Sequence, residues 1–230
     1  GDGIRMTTDL GADLWHMWHF HGTYGFRHPD LPFAIRTKRL PDWVPEKREA
    51  EAPMSWILVG KNGRRFMNEY DPYMQDTGHR GMDRVDPSQM GQPFVPCYMI
   101  LDDDARQLYP LGQTMFNDGD FENYEWSQDN LKEVQNGLIR KADSVEELAE
   151  MIGCPVNELG STIENWNESC DAGADDFGRP PKSMVPVRQA PFYLAEIWPV
   201  VSNTQGGPVH DEKRRVVNAY GEPIPRLYTA

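Results

Sequence analysis

The chain has 230 residues, and 23 Lys and Arg against 36 Asp and Glu give it a formal net charge of −13. This length suits one large domain or one and a half, and 39% apolar with 11% aromatic residues can bury a core, which argues against general disorder. The acidic balance argues against a nucleic-acid or anionic-membrane partner, because phosphate binding needs clustered Lys and Arg. No apolar run approaches the ~20 residues of a membrane-spanning helix.

The cysteines and the chain ends carry two further expectations. Cys97, Cys154 and Cys170 are far apart and form no Cys-x-x-Cys pair, so we expect reduced, mostly buried thiols rather than a disulfide framework or a zinc ribbon. The chain begins at Gly1 without Met and ends at Ala230 in an apolar run. We therefore expect a piece of a longer protein, whose localisation cannot be determined from this sequence.

The first half of the chain predicts few regular elements. Apolar residues at helical spacings predict a helix over residues 3–18, and five prolines predict a long irregular segment over residues 22–53. The run 56–59, the Asn62-Gly63 turn and the return at 64–66 are typical of a hairpin. Residues 94–101 predict a strand, residues 102–109 a short helix, and residues 113–130 a solvated loop.

The second half has clearer signals. Ser144 and Glu147 form a capping box, Gly153 ends that helix, and Pro155 begins the next one. A stripe of apolar residues predicts its buried face: Val156, Leu159, Ile163 and Trp166. Residues 175–186 are irregular, and strand patterns follow at 192–201, 209–218 (a hairpin) and 224–229. Helices and mostly antiparallel strands without βαβ alternation predict an α+β fold.

Three segments could carry chemistry. His16, His19 and His21 lie close together, which leaves a metal site, an aromatic-lined helix end and a ligand-facing surface as open alternatives. The run 202–207 (Ser-Asn-Thr-Gln-Gly-Gly) combines small polar residues with paired glycines that let a ligand approach backbone amides, although such a run is also typical of a simple turn. The run 68–73 ends in Tyr73, which is a competent proton donor when it is positioned.

Common catalytic motifs are absent from the sequence. It has no Ser-His-Asp elbow, no P-loop and no complete Gly-x-Gly-x-x-Gly. The segment around Gly1-Asp2-Gly3 lacks the third glycine and a preceding strand. The chain alone therefore does not predict dinucleotide binding of the usual kind.

Seven short segments, taken in order, resemble the flavoprotein family of fumarate reductases, flavocytochromes c and 3-ketosteroid dehydrogenases. They run over nearly the whole chain: residues 1–6 with Gly11-Ala12, 63–69, 142–149, 176–179, 191–193, 204–207 and 223–230. The resemblance implies an FAD-dependent oxidoreductase acting on a CH–CH or C=C bond next to a carbonyl. It also implies that residues 21–198 are a capping, or clamp, domain, with 1–20 and 199–230 as edge segments of the FAD-binding domain.

The resemblance also implies roles for individual residues. The residues expected to lie against FAD are Asp2, Asn203, Thr204, Gly206 and Gly207. Those expected to line the substrate pocket are Trp18, His21 and Ser202. The remaining partners would be a small-molecule substrate and an electron donor or acceptor of unknown identity. Most FAD contacts would lie outside this chain, so we expect the isolated chain to be inactive.

Departures from the fumarate reductase pattern indicate the branch. That group has an Arg near the position of Tyr73, and it has His-His-Thr where this chain has Ser202-Asn203-Thr204. A dicarboxylate needs cationic clamps. These clamps are missing here unless Arg80 or Arg84 supplies one. Ketosteroid dehydrogenases have Asn-Glu-x-x-Pro-Tyr, which residues 68–73 match. The resemblance therefore favours an apolar enone as substrate and Tyr73 as the proton-transfer residue. A fumarate- or urocanate-type reductase and a His-cluster metal module are the alternatives.

Overall fold

A computed structural model describes residues 2–18, 20–39, 53–70, 81–88, 90–114 and 121–229. Five helices are present in these residues: α1 (Asp2–Asp9), α2 (Asp103–Arg106), α3 (Leu131–Gln135), α4 (Val145–Ile152) and α5 (Val156–Ala172). Eleven strands accompany them: β1 (Leu14–Trp15), β2 (Phe20–Arg27), β3 (Ala34–Arg39), β4 (Ile57–Val59), β5 (Cys97–Asp102), β6 (Gly112–Thr114), β7 (Arg140–Ala142), β8 (Phe192–Thr204), β9 (Gly207–Pro208), β10 (Arg215–Val217) and β11 (Pro223–Tyr228).

The chain divides into two compact units. The small unit comprises Gly1–His21 and Val201–Ala230, and the large unit comprises Gly22–Val200. The boundaries fall inside β2 and β8. Assigning these units to a cap and an FAD-binding edge stays a prediction.

Most of the large unit is built on one sheet of seven strands in the order β4-β5-β8-β2-β3-β6, with β7 also paired to β8. Strand β8 aligns Cys97–Asp102 of β5 with its residues 192–197 in antiparallel register. Side chains alternate along β8, because successive residues of a strand face opposite sides. Tyr193, Ala195 and Ile197 belong to one buried cluster and Phe192 and Leu194 to another. The α+β prediction is confirmed to this extent: helices are mixed with an antiparallel sheet.

Helices α4 and α5 cover part of one face of the sheet. The predicted capping of the first turn of α4 is present. The amide of Glu147 donates to Ser144 Oγ at 3.2 Å, and Gly153 ends α4 in the left-handed region at φ 78°. The Glu147 carboxylate reaches the amide of Asp143 at 2.6 Å rather than that of Ser144. Leu159, Ile163 and Trp166 are buried as predicted.

Several predicted elements were wrong. Val156 is 44% exposed and does not belong to the buried stripe of α5. The predicted helix over 3–18 ends at Asp9 and gives way to β1, and the predicted irregular segment over 22–53 contains the β2–β3 hairpin. Residues 40–52 of that segment lie outside the described residues. The expected hairpin at 56–66 has its turn, but only Val59 and Arg65 form a bridge across it.

The small unit holds two pairs of short antiparallel strands. Strand β1 pairs with β9 and β10 pairs with β11. Ala12 bridges to Asn218, which ties the N-terminal segment to the β10–β11 hairpin. No described helix is long and apolar enough to cross a membrane.

Candidate functional site

The aromatic segment of the small unit is a turn that follows a strand. Trp15 ends β1, and His16 has a positive φ of 63°, a conformation that a continuing helix excludes. Trp18 stands edge-on to both Trp15 and His16, with ring centroids 6.0 and 5.0 Å apart. Trp15 and Trp18 are 65% and 73% exposed. The helix predicted over residues 3–18 therefore does not include His16, and His19 lies outside the described residues.

A hydrogen-bonded side chain links two predicted site residues of the small unit. The amide nitrogen of Gln205 donates to Asn203 Oδ1 at 2.8 Å, and it lies 3.5 Å from Nδ1 of the half-buried His21. Gln205 thus brings the predicted substrate residue His21 close to the predicted cofactor residue Asn203. The sequence analysis missed Gln205, although its place inside the run 202–207 was a usable signal.

The two glycines of that run differ in their surroundings. Gly206 has φ +95°, and a Cβ built on it would lie 2.5 Å from the Trp15 carbonyl oxygen and 2.6 Å from that of His16. Only glycine fits there, because the chain itself approaches so closely. A Cβ on Gly207 would meet nothing within 4 Å. Gly207 has φ +159°, which itself favours glycine, and the space beside it is open to a ligand.

The remaining predicted cofactor residues also lie in the small unit. Asp2 begins α1, which packs against β9. Asp2, Asn203 and Thr204 are exposed. Ser202 lies in β8, and its side chain is outside the described part of the structure. The structure thus places α1, the end of β8 and β9 in one unit.

These residues fit one edge of a flavin dinucleotide. FAD offers hydroxyl, phosphate and ring acceptors and donors, and Asp2, Asn203 and Thr204 present exposed polar side chains in the same unit as the open space at Gly207. Asp2 would suit a hydroxyl group and the amides around Gly207 a phosphate or ring oxygen.

The predicted proton donor follows a buried ion cluster in the large unit. Tyr73 lies outside the described residues, but Glu69, four residues before it, is completely buried. The Glu69 carboxylate accepts hydrogen bonds from the Leu58 amide at 3.0 Å and from Arg65 Nε and Nη2 at 2.9 and 2.7 Å. Arg179 Nη1 lies 3.4 Å from the same carboxylate. Glu69 therefore ties the residues before Tyr73 to strand β4.

This cluster consists of two arginines and two carboxylates. We call it the Arg65–Arg179 cluster (Arg65, Glu69, Asp175, Arg179). Arg65 Nη1 pairs with Asp175 at 2.5 Å, and both guanidinium groups lie over the Trp166 ring, at 4.4 and 4.7 Å from its centroid. Arg179 donates to the carbonyl oxygens of Met54, Trp56 and Ser183. These contacts satisfy most of the buried charge, as burial of ions requires.

The pKa shifts in the cluster follow from burial and pairing. Burial alone would raise the pKa of Asp175, but the hydrogen bond and charge of Arg65 outweigh it and hold this pKa below its ordinary value. Burial lowers the pKa of Arg179, which Glu69 opposes by its charge. Desolvation also raises the pKa of Tyr109 to about 12, so this phenol stays protonated at neutral pH.

The described residues also bear on the predicted metal site, the cysteines and the two arginines considered as clamps. Within the described ranges, no group of three or more His, Cys, Asp or Glu is placed to hold a metal ion. Cys97 is buried, and Cys154 and Cys170 are half-buried free thiols. Arg84 is exposed, and Arg80 lies outside the described residues.

The whole chain, residues 1–230, matches the FAD binding domain family, and the chain belongs to that family. It is 43% identical over 248 residues to digoxin reductase of Eggerthella lenta, covering 100% of this chain and 38% of that protein. It is 35% identical over 182 residues to NADH:acrylate oxidoreductase of Vibrio harveyi, covering 77% and 15% respectively. The chain thus spans well under half the length of these relatives.

A solved structure shows the same fold. The 3-ketosteroid delta1-dehydrogenase of Sterolibacterium denitrificans, in complex with 1,4-androstadiene-3,17-dione, matches 99% of this chain and 40% of its own with a TM-score of 0.72 at 23% identity. A 3-oxosteroid 1-dehydrogenase and a cytochrome-linked fumarate reductase are also among the matched proteins, at 29% and 28% identity. The resemblance drawn from seven short segments is therefore confirmed at the level of the family, whose cofactor is FAD.

Proposed function

We propose that this chain is the substrate-capping part of an FAD-dependent oxidoreductase that acts on a C=C or CH–CH bond next to a carbonyl group. Residues 21–198 would form the cap, and residues 1–20 and 199–230 would be edge segments of the FAD-binding domain. The observation that carries the proposal is the match of all 230 residues to the FAD family together with 43% identity to a reductase over the whole chain.

The proposed substrate is an apolar enone such as a 3-ketosteroid. Residues 68–73 read Asn-Glu-Tyr-Asp-Pro-Tyr, the pattern expected of the ketosteroid branch. The exposed Trp15 and Trp18 rings suit an apolar molecule better than a small diacid. Arg80 and Arg84 were considered as clamps for a dicarboxylate. Of the two, only Arg84 lies in the described residues, and it is exposed.

The roles proposed for this chain's residues are those that the family resemblance implies. When bound, FAD supplies hydride transfer at its N5 atom. Tyr73 would transfer the proton to or from the carbon beside the carbonyl group. Trp18, His21 and Ser202 would contact the substrate, while Asp2, Asn203, Thr204, Gly206 and Gly207 would hold the cofactor's edge. Glu69 would hold the backbone before Tyr73 in place.

A second candidate is a reductase of small unsaturated carboxylates, such as fumarate or urocanate. It is favoured by the 35% identity to NADH:acrylate oxidoreductase. This candidate differs from the first in the substrate and not in the cofactor.

The test uses the full-length parent loaded with FAD. It is offered 3-ketosteroids, other enones, urocanate, acrylate and fumarate, with Tyr73→Phe beside the wild type. We expect turnover of apolar enones, lowered about 10²–10⁴-fold in Tyr73→Phe with the flavin retained. Unchanged turnover in Tyr73→Phe removes the proton-transfer role, and turnover of the small carboxylates alone selects the second candidate.

A further inference from the structure

One face of the large unit's sheet is covered by helices along only part of its extent. Over β4, β5 and the start of β8, the residues Ile57, Ile100 and Leu194 pack in one cluster with Leu159 and Ile163 of α5. Because side chains alternate along a strand, Glu196, Trp198 and Val200 continue the same face of β8 beyond Leu194. This further part of the face carries a groove.

The groove is small and mostly apolar. Its volume is about 350 Å³, and its lining residues are Arg27, Pro32, Phe33, Ala34, Trp198, Pro199 and Val200. A volume near 300 Å³ is at the lower end of the range for small-molecule pockets.

A glycine lies beneath two of the residues that line the groove. A Cβ built on Gly25 would lie 2.2 Å from Val200 Cγ2 and 2.7 Å from Ala34 Cβ. Gly25 therefore lets Val200 and Ala34 lie directly over the backbone of β2. A larger residue at this position would push them into the groove and fill it.

Two aromatic rings are among the residues that line the groove. Trp198 Nε1 donates to Glu196 Oε1 at 2.8 Å, which fixes the orientation of the indole. Phe33 is 49% exposed and lies in the turn between β2 and β3. Rings held in this way favour a flat apolar ligand, because they offer a large contact area with little loss of side-chain entropy.

Arg27 supplies a charged group among the lining residues of the groove. Its Nη1 donates to the Phe33 carbonyl oxygen at 3.0 Å, and it has no carboxylate partner among the described residues. The guanidinium group has five N–H donors, so donors remain for a ligand. A half-buried cation beside apolar walls is complementary to an oxygen acceptor at one end of an apolar molecule.

We propose that this groove, between Trp198 and the β2–β3 turn, binds the apolar ring system of a ketone whose carbonyl oxygen accepts a hydrogen bond from Arg27. The choice of a ketone rests on the proposed function, and the groove would bind the rings of the same substrate class.

The experiment measures binding without turnover. The full-length parent, loaded with oxidised FAD and given no electron donor, is titrated by isothermal calorimetry with 1,4-androstadiene-3,17-dione, whose bonds on both sides of the 3-carbonyl are already C=C and give no hydride to oxidised FAD. Ala34→Trp fills the groove, and Leu108→Trp adds the same ring at a 53% exposed position outside it. Arg27→Met removes the donor and keeps the length of the side chain. Circular dichroism and flavin content report on folding.

We expect affinity for the steroid to fall by about tenfold or more in Ala34→Trp and in Arg27→Met, and to stay unchanged in Leu108→Trp. Equal affinity in Ala34→Trp and the wild type overturns the proposal, and so does a wild type that does not bind the steroid. If Ala34→Trp does not fold, Arg27→Met decides between these outcomes. A parent that binds in the groove but turns over no enone refutes the proposed function and leaves the groove standing.

Discussion

Asp175 is a buried carboxylate whose removal should strongly affect stability. Its side chain is 1% exposed and pairs with Arg65, whose side chain is 8% exposed. Without Asp175, the buried Arg65 and Arg179 share the single carboxylate of Glu69. This leaves one positive charge of the cluster uncompensated, and loss of one partner of a buried pair costs about 3–5 kcal/mol. We expect Asp175→Asn to lower the free energy of unfolding of the large unit by about 3 kcal/mol in urea titrations.

The matched control is Asp171→Asn. Asp171 also pairs with an arginine, Arg188, at 2.7 Å, but its side chain is 68% exposed. Exposed pairs contribute about 0–1 kcal/mol. Equal effects of the two substitutions would contradict a stabilising role of the Arg65–Arg179 cluster.

The same carboxylate predicts a pH dependence. The folded-state pKa of Asp175 lies below its ordinary value of about 3.9, so its contribution is fully present above that value and is lost as pH falls through the folded pKa. In Asp175→Asn the stability should therefore fall less steeply with acid below about pH 4. Urea midpoints measured from pH 6 to pH 3 check this. A parallel fall in wild type and variant would contradict it.

Gly206 and Gly207 are neighbours whose substitutions should affect folding and FAD binding differently. Gly206→Ala places a methyl group 2.5 Å from a backbone oxygen, so it should destabilise the small unit by about 1–3 kcal/mol. Gly207→Ala meets no atom within 4 Å, but Gly207 has φ +159°, so the variant should carry backbone strain without a clash and destabilise the small unit less than Gly206→Ala. If Gly207 lies against FAD, Gly207→Ala in the parent should weaken FAD binding although its apoprotein melts at a higher temperature than that of Gly206→Ala.

Thermal unfolding of the apoprotein and FAD titration by fluorescence quenching measure these two effects. Wild-type FAD affinity in Gly207→Ala would remove Gly207 from the cofactor contacts. A stable Gly206→Ala apoprotein would contradict the close approach at Trp15.

At the residue scale, the sequence identified positions better than it identified their reasons. The run 202–207 was recognised because its composition is local, and it does contain the Gln205 link to His21. The internal reason for Gly206 depends on Trp15, nearly two hundred residues earlier, and no local pattern encodes that contact. Glu69 was interpreted as part of a proton-transfer motif, whereas its burial with Arg179 is a long-range feature.

At the element scale, the start of α4 offers a clean test. The Ser144 hydroxyl accepts from the Glu147 amide at 3.2 Å. Loss of an N-cap side chain costs about 1 kcal/mol, so Ser144→Ala should lower the free energy of unfolding by about that amount. Ser161→Ala, at an exposed position inside α5, is the control and should change little. Equal effects in the two variants would mean that the cap does not matter.

The elements that the sequence predicted well are those with local signals. Helix α4 has a side-chain N-cap, and α4 and α5 both have apolar spacing and end at a left-handed glycine. Strands β2 and β3, which were missed, pair with each other as a local hairpin, but their outer neighbours, β8 and β6, come from distant parts of the chain. The helix over 3–18 was extended too far because apolar spacing alone does not reveal that Trp15 pairs with Gly207. Tertiary pairing overrides local propensity in such cases.

At the scale of the whole molecule, apolar residues are distributed unequally between the two units. Among the described residues of the small unit, only Val216 and Val217 are buried hydrophobics. The same unit exposes eight large ones: Met6, Leu10, Trp15, Met17, Trp18, Val201, Tyr220 and Tyr228. Exposed apolar surfaces of this kind are typical of sites that contact another domain, another protein or a ligand, because burial of apolar area is favourable.

This distribution predicts different local stability in the isolated chain and in the flavin-loaded parent. In the isolated chain, amides of β10 and β11 should exchange with solvent far faster than those of the buried strand β5, because few apolar contacts hold the small unit together. In the parent, where the proposed FAD-binding domain would cover these side chains, protection of β10 and β11 should approach that of β5. The isolated chain should carry no stoichiometric flavin.

Hydrogen exchange followed by mass spectrometry measures both samples, and the flavin absorbance spectrum is recorded beside it. Peptides from β5 serve as the internal control, since Cys97, Met99 and Leu101 are fully buried within the large unit itself. Equal and strong protection of β10 and β11 in the isolated chain would show that the small unit is stable by itself. Stoichiometric flavin on that sample would contradict the assignment of residues 1–20 and 199–230 as mere edges of a larger binding domain.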